Sequence, residues 1–298
     1  MHIDKNGNKW YKGNLHTHTT NSDGVRSPEE VKELYKKLGY DFIALTDHWN
    51  YGEGSEQDPS GLLVLSGIEY NFNAYEVLKG VYHIVSVGSD RVPNVQKDDN
   101  VQIAIDKIND AGGLAILAHP AWSMNTYDMI TPLKDLFATE IYNSISGVPF
   151  NCRPYSGEVI DQLAARGYYL PLIADDDTHF YKNEVGMSYV MVNLGQEELN
   201  AENIINALRS GNFIATQGPF FEFFIDGDDV VLRSETPLSI VTFFTDTPFE
   251  WDRCTIMDDE PIYEARFGIK KDAVNFVRAE CTDLNGKVGY SQIIPIKK

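Results

Sequence analysis

The 298-residue sequence has 44 acidic against 25 basic side chains, a formal charge of −19, with 43% hydrophobic and 23% charged residues. This is the balance of a folded globular chain, which excludes disordered and fibrous classes, and its sign disfavours extended binding to a nucleic-acid backbone. No apolar run approaches the roughly 20 residues that a spanning helix needs, and residues 1–9 have no hydrophobic signal core, so a cytoplasmic protein away from membranes is expected. Cys152, Cys254 and Cys281 lack paired spacing and read as packing residues.

In chain order, the first informative stretch is Asn14-Leu15-His16-Thr17-His18, followed closely by Asp23-Gly24. A strand over 10–18 sends both imidazoles to one face, leaning toward a point that one cation could occupy. Ser27-Pro28-Glu29-Glu30 has the form of a capping box with proline at the first helical position, so a helix is predicted there, carrying Val31, Leu34, Tyr35 and Leu38 and stopping near Gly39. Asp41 to His48 reads as a buried strand ending on histidine, Leu62 to Tyr70 as one ending on Glu69, and Val81 to Val87 as a strand containing His83. A helix is expected from about Asn100 to Asn109, then a strand Leu114–Ala118 delivering His119. Thr139 to Asn143 suggests another strand, Ser156 to Arg166 a helix, and Leu170 to His179 a strand whose Asp177 and His179 repeat the i, i+2 spacing of the opening pair. Tyr189 to Leu194 reads as strand and Asn200 to Arg209 as helix. Beyond Gly218-Pro219 come short β-like runs, Phe220–Ile225, Ser239–Thr245 and Val274–Cys281, with an Asn285-Gly286 hairpin signal.

Strands alternating with helices imply an α/β architecture whose function gathers at the carboxyl ends of strands. Six of the seven histidines, all but His2, are expected at such positions. Any one of them alone reads most simply as a hydrogen-bonded core residue; their convergence from independent strands favours a metal site.

His16-x-His18 with Asp23-Gly24, Thr46-Asp47-His48, Glu69, His83, Ala118-His119-Pro120 and Asp177-x-His179 closely resemble, in order, the motifs of the polymerase and histidinol phosphatase (PHP) family. The resemblance spans residues 10 to about 180 and implies a distorted (β/α)7 TIM-like barrel over 1–217. Residues 218–298 would form a small all-β domain, an extension resembling that of carbaryl-esterase-type relatives. It further implies two to three divalent ions of zinc, manganese or iron. His16, His18, Glu69 and Asp177 would hold one, Glu69, His83 and His119 a second, and Asp23, His48 and His179 a third. Six positive charges against three carboxylates would draw in a small anionic, phosphorylated substrate. The implied activity is phosphoester hydrolysis by water activated between two ions, with His179 and Asp47 as candidate proton-transfer groups and Arg153, Arg26 and Lys182 as candidate substrate contacts. Two alternatives stand beside it: a metallohydrolase acting on a carboxylic ester, carbamate or amide, and a metal-holding interaction module without catalysis. An arginine or lysine at the pocket would favour phosphate, an apolar pocket the ester or amide. Oligomeric state is left open by the sequence.

Overall fold

The computed structural model describes residues 1–56, 58–73, 80–269 and 274–296. The chain opens with β1 (His2–Ile3), β2 (Lys9–Asn14), α1 (Pro28–Lys37), β3 (Phe42–Ala44), β4 (Leu63–Leu65), β5 (Gly67–Phe72) and β6 (Tyr82–Val87). It continues through α2 (Val101–Asp110), β7 (Leu114–Leu117), α3 (Tyr127–Ile130), β8 (Ala138–Asn143), α4 (Gly157–Ala164) and β9 (Leu172–Asp175), then β10 (Tyr189–Gly195), α5 (Ala201–Arg209) and β11 (Phe213–Thr216). Seven further strands follow: β12 (Phe221–Asp226), β13 (Asp229–Thr245), β14 (Cys254–Ile256), β15 (Ile262–Gly268), β16 (Phe276–Asp283), β17 (Val288–Tyr290) and β18 (Ile294–Pro295).

The helices start where their capping residues stand. Ser27 accepts from the Glu30 amide at 3.3 Å while the Glu30 carboxylate accepts from the Ser27 amide at 2.9 Å, closing the box that opens α1. Asn100 and Asn200 accept from Ile103 and Asn203 amides at 3.0 and 2.7 Å and so open α2 and α5. Val31 and Tyr35 of α1 are buried, whereas Leu38, expected on the same face, is largely exposed at the helix end.

The ladders fall into two sheets. One has the order β5-β6-β7-β8-β9, antiparallel at its first two pairings and parallel at the last two. The other runs β12-β13-β16-β17-β11-β10-β2-β3-β4, parallel only at β2-β3-β4, with β1, β14, β15 and β18 as side branches. Side chains of both sheets share one core, among them Leu15, Phe42, Leu65, Val85, Ile116 and Ile173, onto which Ile204 and Leu208 of α5 pack. Isolated bridges Thr17–Thr178 and His48–Glu69 join the sheets. The fold is mixed α/β, and among the described residues the strands form no single continuous barrel ladder.

Three sequence expectations are corrected. The strand read over 10–18 ends at Asn14, whose side chain then holds the extended segment by donating to the His16 carbonyl and to Thr17 Oγ1. The run Leu62 to Tyr70 is two strands in different sheets. The chain changes sheet at Gly67, where a Cβ would fall 2.5 Å from the Leu45 carbonyl oxygen, so only glycine permits the approach. The runs Phe220–Ile225 and Ser239–Thr245 belong to a longer arrangement in which β13 alone extends over 17 residues and pairs with β12, β14, β15 and β16. These strands have their own core, including Val241, Phe243, Phe267 and Val277, and Trp10, Met191 and Ile214 contribute to it from the preceding part of the chain.

Candidate metal centre

The segment after β2 and the segment after β9 lie side by side: His18 donates its amide to the Thr178 carbonyl at 3.0 Å and Asp177 its amide to the His16 carbonyl at 2.9 Å. This brings the two i, i+2 motifs face to face. His16 Nε2 and His18 Nε2 are 3.2 Å apart; Asp177 Oδ1 is 3.2 and 3.1 Å from them, and Glu69 Oε2 is 3.4 and 3.1 Å away. A tetrahedral cation with bonds of about 2.0–2.1 Å spaces its donor atoms about 3.3–3.4 Å apart, so the His16, His18 and Glu69 atoms have the spacing of one coordination sphere, with Asp177 Oδ1 beside both imidazoles.

Glu69 turns its second oxygen to another group: His83 Nδ1 is 2.7 Å and His119 Nε2 is 3.7 Å from Oε1, while His48 Nδ1 is 3.0 Å from Oε2. Asp23, more than half exposed, forms a third group, with Oδ1 3.4 Å from His18 Nδ1 and 3.5 Å from His179 Nε2, and Oδ2 3.7 Å from His48 Nε2. A neutral imidazole has one lone pair, so His18 serves one group at a time, and its Nε2 faces the first. Gly24 makes the third group sterically possible: a Cβ there would lie 2.6 Å from the His18 carbonyl. His119 and Asp177 both have positive φ, 29° and 52°, a strained backbone at two convergent side chains.

Whether these residues suit a cation is decided by the atoms left without well-directed hydrogen bonds. His48 Nδ1, Glu69 Oε2, His83 Nε2 and Asp177 Oδ1 are buried and make no well-directed hydrogen bond, although all but His83 Nε2 lie at ion-pair distance from a neighbouring imidazole or carboxylate. Leaving such groups unpaired costs about 1–3 kcal/mol each, more where charged, and coordination removes that cost. The electrostatics agree. Burial by itself would hold His16 and His18 neutral, yet Asp177 and Glu69, with Glu140 beside His16 and Asp23 beside His18, push both well above the ordinary histidine range. Burial prevails at His48, lowered to about 4, and lowers His83 as well. Glu69, Asp23 and Asp177 are held far below the carboxylate range against burial by the imidazoles around them. Carboxylates that favour positive charge on His16 and His18 present the same field to a metal cation.

No protein-family model matches the chain. A 75-residue stretch, 24% of the chain, is 36% identical to the DNA polymerase/3'-5' exonuclease PolX of Bacillus subtilis, of whose length it covers 13%. An uncharacterized protein of Methanocaldococcus jannaschii is 27% identical over 154 residues, 45% of this chain and 82% of that one. Over nearly its whole length the structure superposes on a two-domain protein of Bacteroides vulgatus described as containing a predicted PHP-like metal-dependent phosphoesterase, covering 98% of this chain and 97% of that one with a TM-score of 0.56 at 17% identity. The fold is PHP-like.

The PHP-like core also shows what the motifs leave out. Glu140, fully buried on β8, accepts from His16 Nδ1 at 2.6 Å, from the His119 amide at 2.7 Å and from Asn143 Nδ2 at 2.7 Å. It fixes His16 as the tautomer whose Nε2 lone pair faces the cluster. Asn143 also donates to Asp177 Oδ2 at 3.1 Å. The one signal for this pair in the sequence is a single charged side chain in the middle of an otherwise uncharged strand, Ala138–Asn143.

A cavity of about 270 Å3 opens over the cluster, lined by His48, Glu69, His83, His119, Asp177, His179 and Asp23 together with Asn71, Trp122, Ile145, Ser146, Asn151 and Phe180. Trp122 sits edge-on to His83 and His119, with ring centroids 5.5 and 4.9 Å away. Arg153 lines a neighbouring pocket with Ala121, Met124 and Tyr155, Arg26 lies over the Tyr181 ring at 5.5 Å, and Lys182 is exposed. Asp47 is buried with both oxygens engaged, Oδ1 accepting from the Thr19 amide and Ser22 hydroxyl and Oδ2 from the Thr19 hydroxyl, so it fastens the turn that carries Asp23. His2 stands apart, beside Glu235 and Phe220.

Proposed function

We propose that the chain is a metal-dependent hydrolase, and first a phosphoesterase acting on a small phosphorylated molecule. The observation that carries the hydrolase reading is the convergence of histidines and carboxylates from separate segments into three groups, His16, His18 and Glu69, then His48, Glu69 and His83, then His18, Asp23, His48 and His179, each with ligand atoms within 4.8 Å of one another. The phosphoester preference rests on the resemblance of the motifs and on the activity named for the Bacteroides vulgatus neighbour. Divalent zinc, manganese or iron ions, two or three of them, would supply Lewis acidity and an activated water. His16, His18, Glu69 and Asp177 would hold one ion, Glu69, His83 and His119 a second, and Asp23, His48 and His179 a third.

The protein's own contribution is orientation. Glu140 and Asn143 lock His16 and Asp177, and Ser123 Oγ lies 3.2 Å from His119 Nδ1. His179 donates Nδ1–H to the Asp177 carbonyl at 2.8 Å, which leaves a lone pair on Nε2 toward Asp23. That tautomer suits a ligand better than a proton donor, and Asp47 suits a structural role. The core shared by the two sheets is compatible with residues 1–217 as a distorted barrel, and the second core of residues 220–296 favours 218–298 as a β domain joined to it through the β11–β17 ladder.

A second reading has its own observation. No lysine or arginine is among the described residues lining the cavity, and Trp122, Ile145 and Phe180 give it an apolar side, which favours an uncharged ester, carbamate or amide. One experiment separates the readings. Metal content is measured by plasma mass spectrometry for the native chain, His16→Ala and Asp177→Ala, and hydrolysis is followed on p-nitrophenyl phosphate, bis-p-nitrophenyl phosphate and p-nitrophenyl acetate with and without chelator. Two to three ions per chain, falling in the variants, with chelator-sensitive release from the phosphates, is the expected result. Release from the acetate alone selects the second reading, and fewer than one ion per chain, unaffected by either substitution, overturns both.

A further inference from the structure

The loop 144–156, between β8 and α4, brings Ser146 and Asn151 to the cavity wall. Internally, Ser146 donates its amide and hydroxyl to Asn143 Oδ1, Arg153 its amide to the Ser146 carbonyl, and Asn151 its amide to the Gly147 carbonyl, while the start of the loop is tied to the segment after β9 by the Ser144 and Ile145 amides, which donate to the Asp175 and Asp176 carbonyls at 3.0 and 3.1 Å. With its start fixed in this way, the placement of the rest of the loop depends on how its other end, at the base next to α4, is held. At that base Tyr155 donates its hydroxyl to Glu280 Oε1 and accepts from Arg278 Nη2 at 3.1 Å. Its ring leaves no room for a Cβ on Gly157, the first residue of α4.

Arg278, on β16, has none of its side chain exposed. Its guanidinium makes two parallel bonds to Asp161 of α4, at 2.6 and 2.8 Å, and a third to Glu280, while lying 4.0 Å from the centroid of Phe244. Burying one cation with two carboxylates costs desolvation that ion pairing barely offsets, and an apolar side chain of like volume is often as stable. What the fork of N–H groups adds is direction. Here the fork points at once to α4 and to the foot of the loop.

We propose that Arg278 and Tyr155 are positioning residues through which the C-terminal strands set the placement of the 144–156 loop against the cavity, and with it substrate binding. The substrate part rests on the hydrolase reading; the placement of the loop does not. The test uses the full chain loaded with zinc, which is diamagnetic, carrying Cys254→Ser and a nitroxide on the exposed Cys152, with Arg278→Met, Arg278→Lys and Tyr155→Phe compared with the parent. The expected result is a more mobile label in Arg278→Met and Tyr155→Phe, with KM for p-nitrophenyl phosphate raised about three- to tenfold at nearly constant kcat and metal content, and partial recovery in Arg278→Lys. Unchanged label mobility in a variant that still melts cooperatively overturns the proposal, as does a fall in kcat and metal content at constant KM. Tyr155→Phe, which removes one hydroxyl, decides the matter if Arg278→Met fails to fold. A parent inactive on every ester refutes the hydrolase reading, and the label mobility then judges the clamp alone.

Discussion

Single side chains at the centre divide into those that face the cavity and those that aim them. Glu140 belongs to the second kind, since it accepts from His16, His119 and Asn143 and has no surface exposure. Removing an outer partner of a ligating histidine usually weakens metal binding about 10–100-fold. Glu140→Ala is therefore expected to weaken manganese or zinc affinity by that factor in a calorimetric titration while the chain stays folded; affinity equal to the parent's would show that His16 needs no such support. Glu140 escapes sequence reading because a buried acid on a strand has the same local signature whether it meets an imidazole or an arginine. His16 and His18 are legible for the opposite reason: alternation along an extended segment puts both on one face, and their Nε2 atoms lie 3.2 Å apart.

At the scale of elements, the helix caps are legible in the sequence. Ser27 with Glu30, Asn100 and Asn200 open helices α1, α2 and α5 where the local pattern places them, because a cap bonds within three residues of itself. The passage from β4 to β5 was not legible, because an unbroken apolar run looks the same whether it stays in one sheet or crosses to another. Gly67 is the pivot of that crossing and sits two residues before Glu69. Gly67→Ala is expected to lower stability by about 1–3 kcal/mol in urea unfolding, since a Cβ must push aside the Leu45 carbonyl. Stability within a few tenths of the parent value would mean that the backbone there yields freely.

Across the whole molecule, the cluster gathers carboxylates and imidazoles whose buried atoms are incompletely satisfied by one another, so a cation bound there would couple its binding to folding. A cation present at about 100 times its dissociation constant stabilises the native state by about 2.7 kcal/mol if the unfolded chain does not bind it. Adding manganese or zinc to chelator-treated protein is thus expected to raise Tm by several degrees, saturably, with the rise abolished in Asp177→Ala; the same rise in that variant would place the binding elsewhere.

The capped starts of α1, α2 and α5 and the His-x-His and Asp-x-His spacings are properties of neighbouring residues, and the sequence alone determines them, because hydrogen bonds and side-chain alternation over two to four residues need no distant partner. The division into two sheets, the union of residues 16–18 with 177–179, the support from Glu140 and the hold of Arg278 on Tyr155 and Asp161 were decided only by tertiary structure. Each joins segments 100 or more residues apart or turns on a close backbone approach, and nothing local in the chain distinguishes the partner chosen from others of the same chemistry.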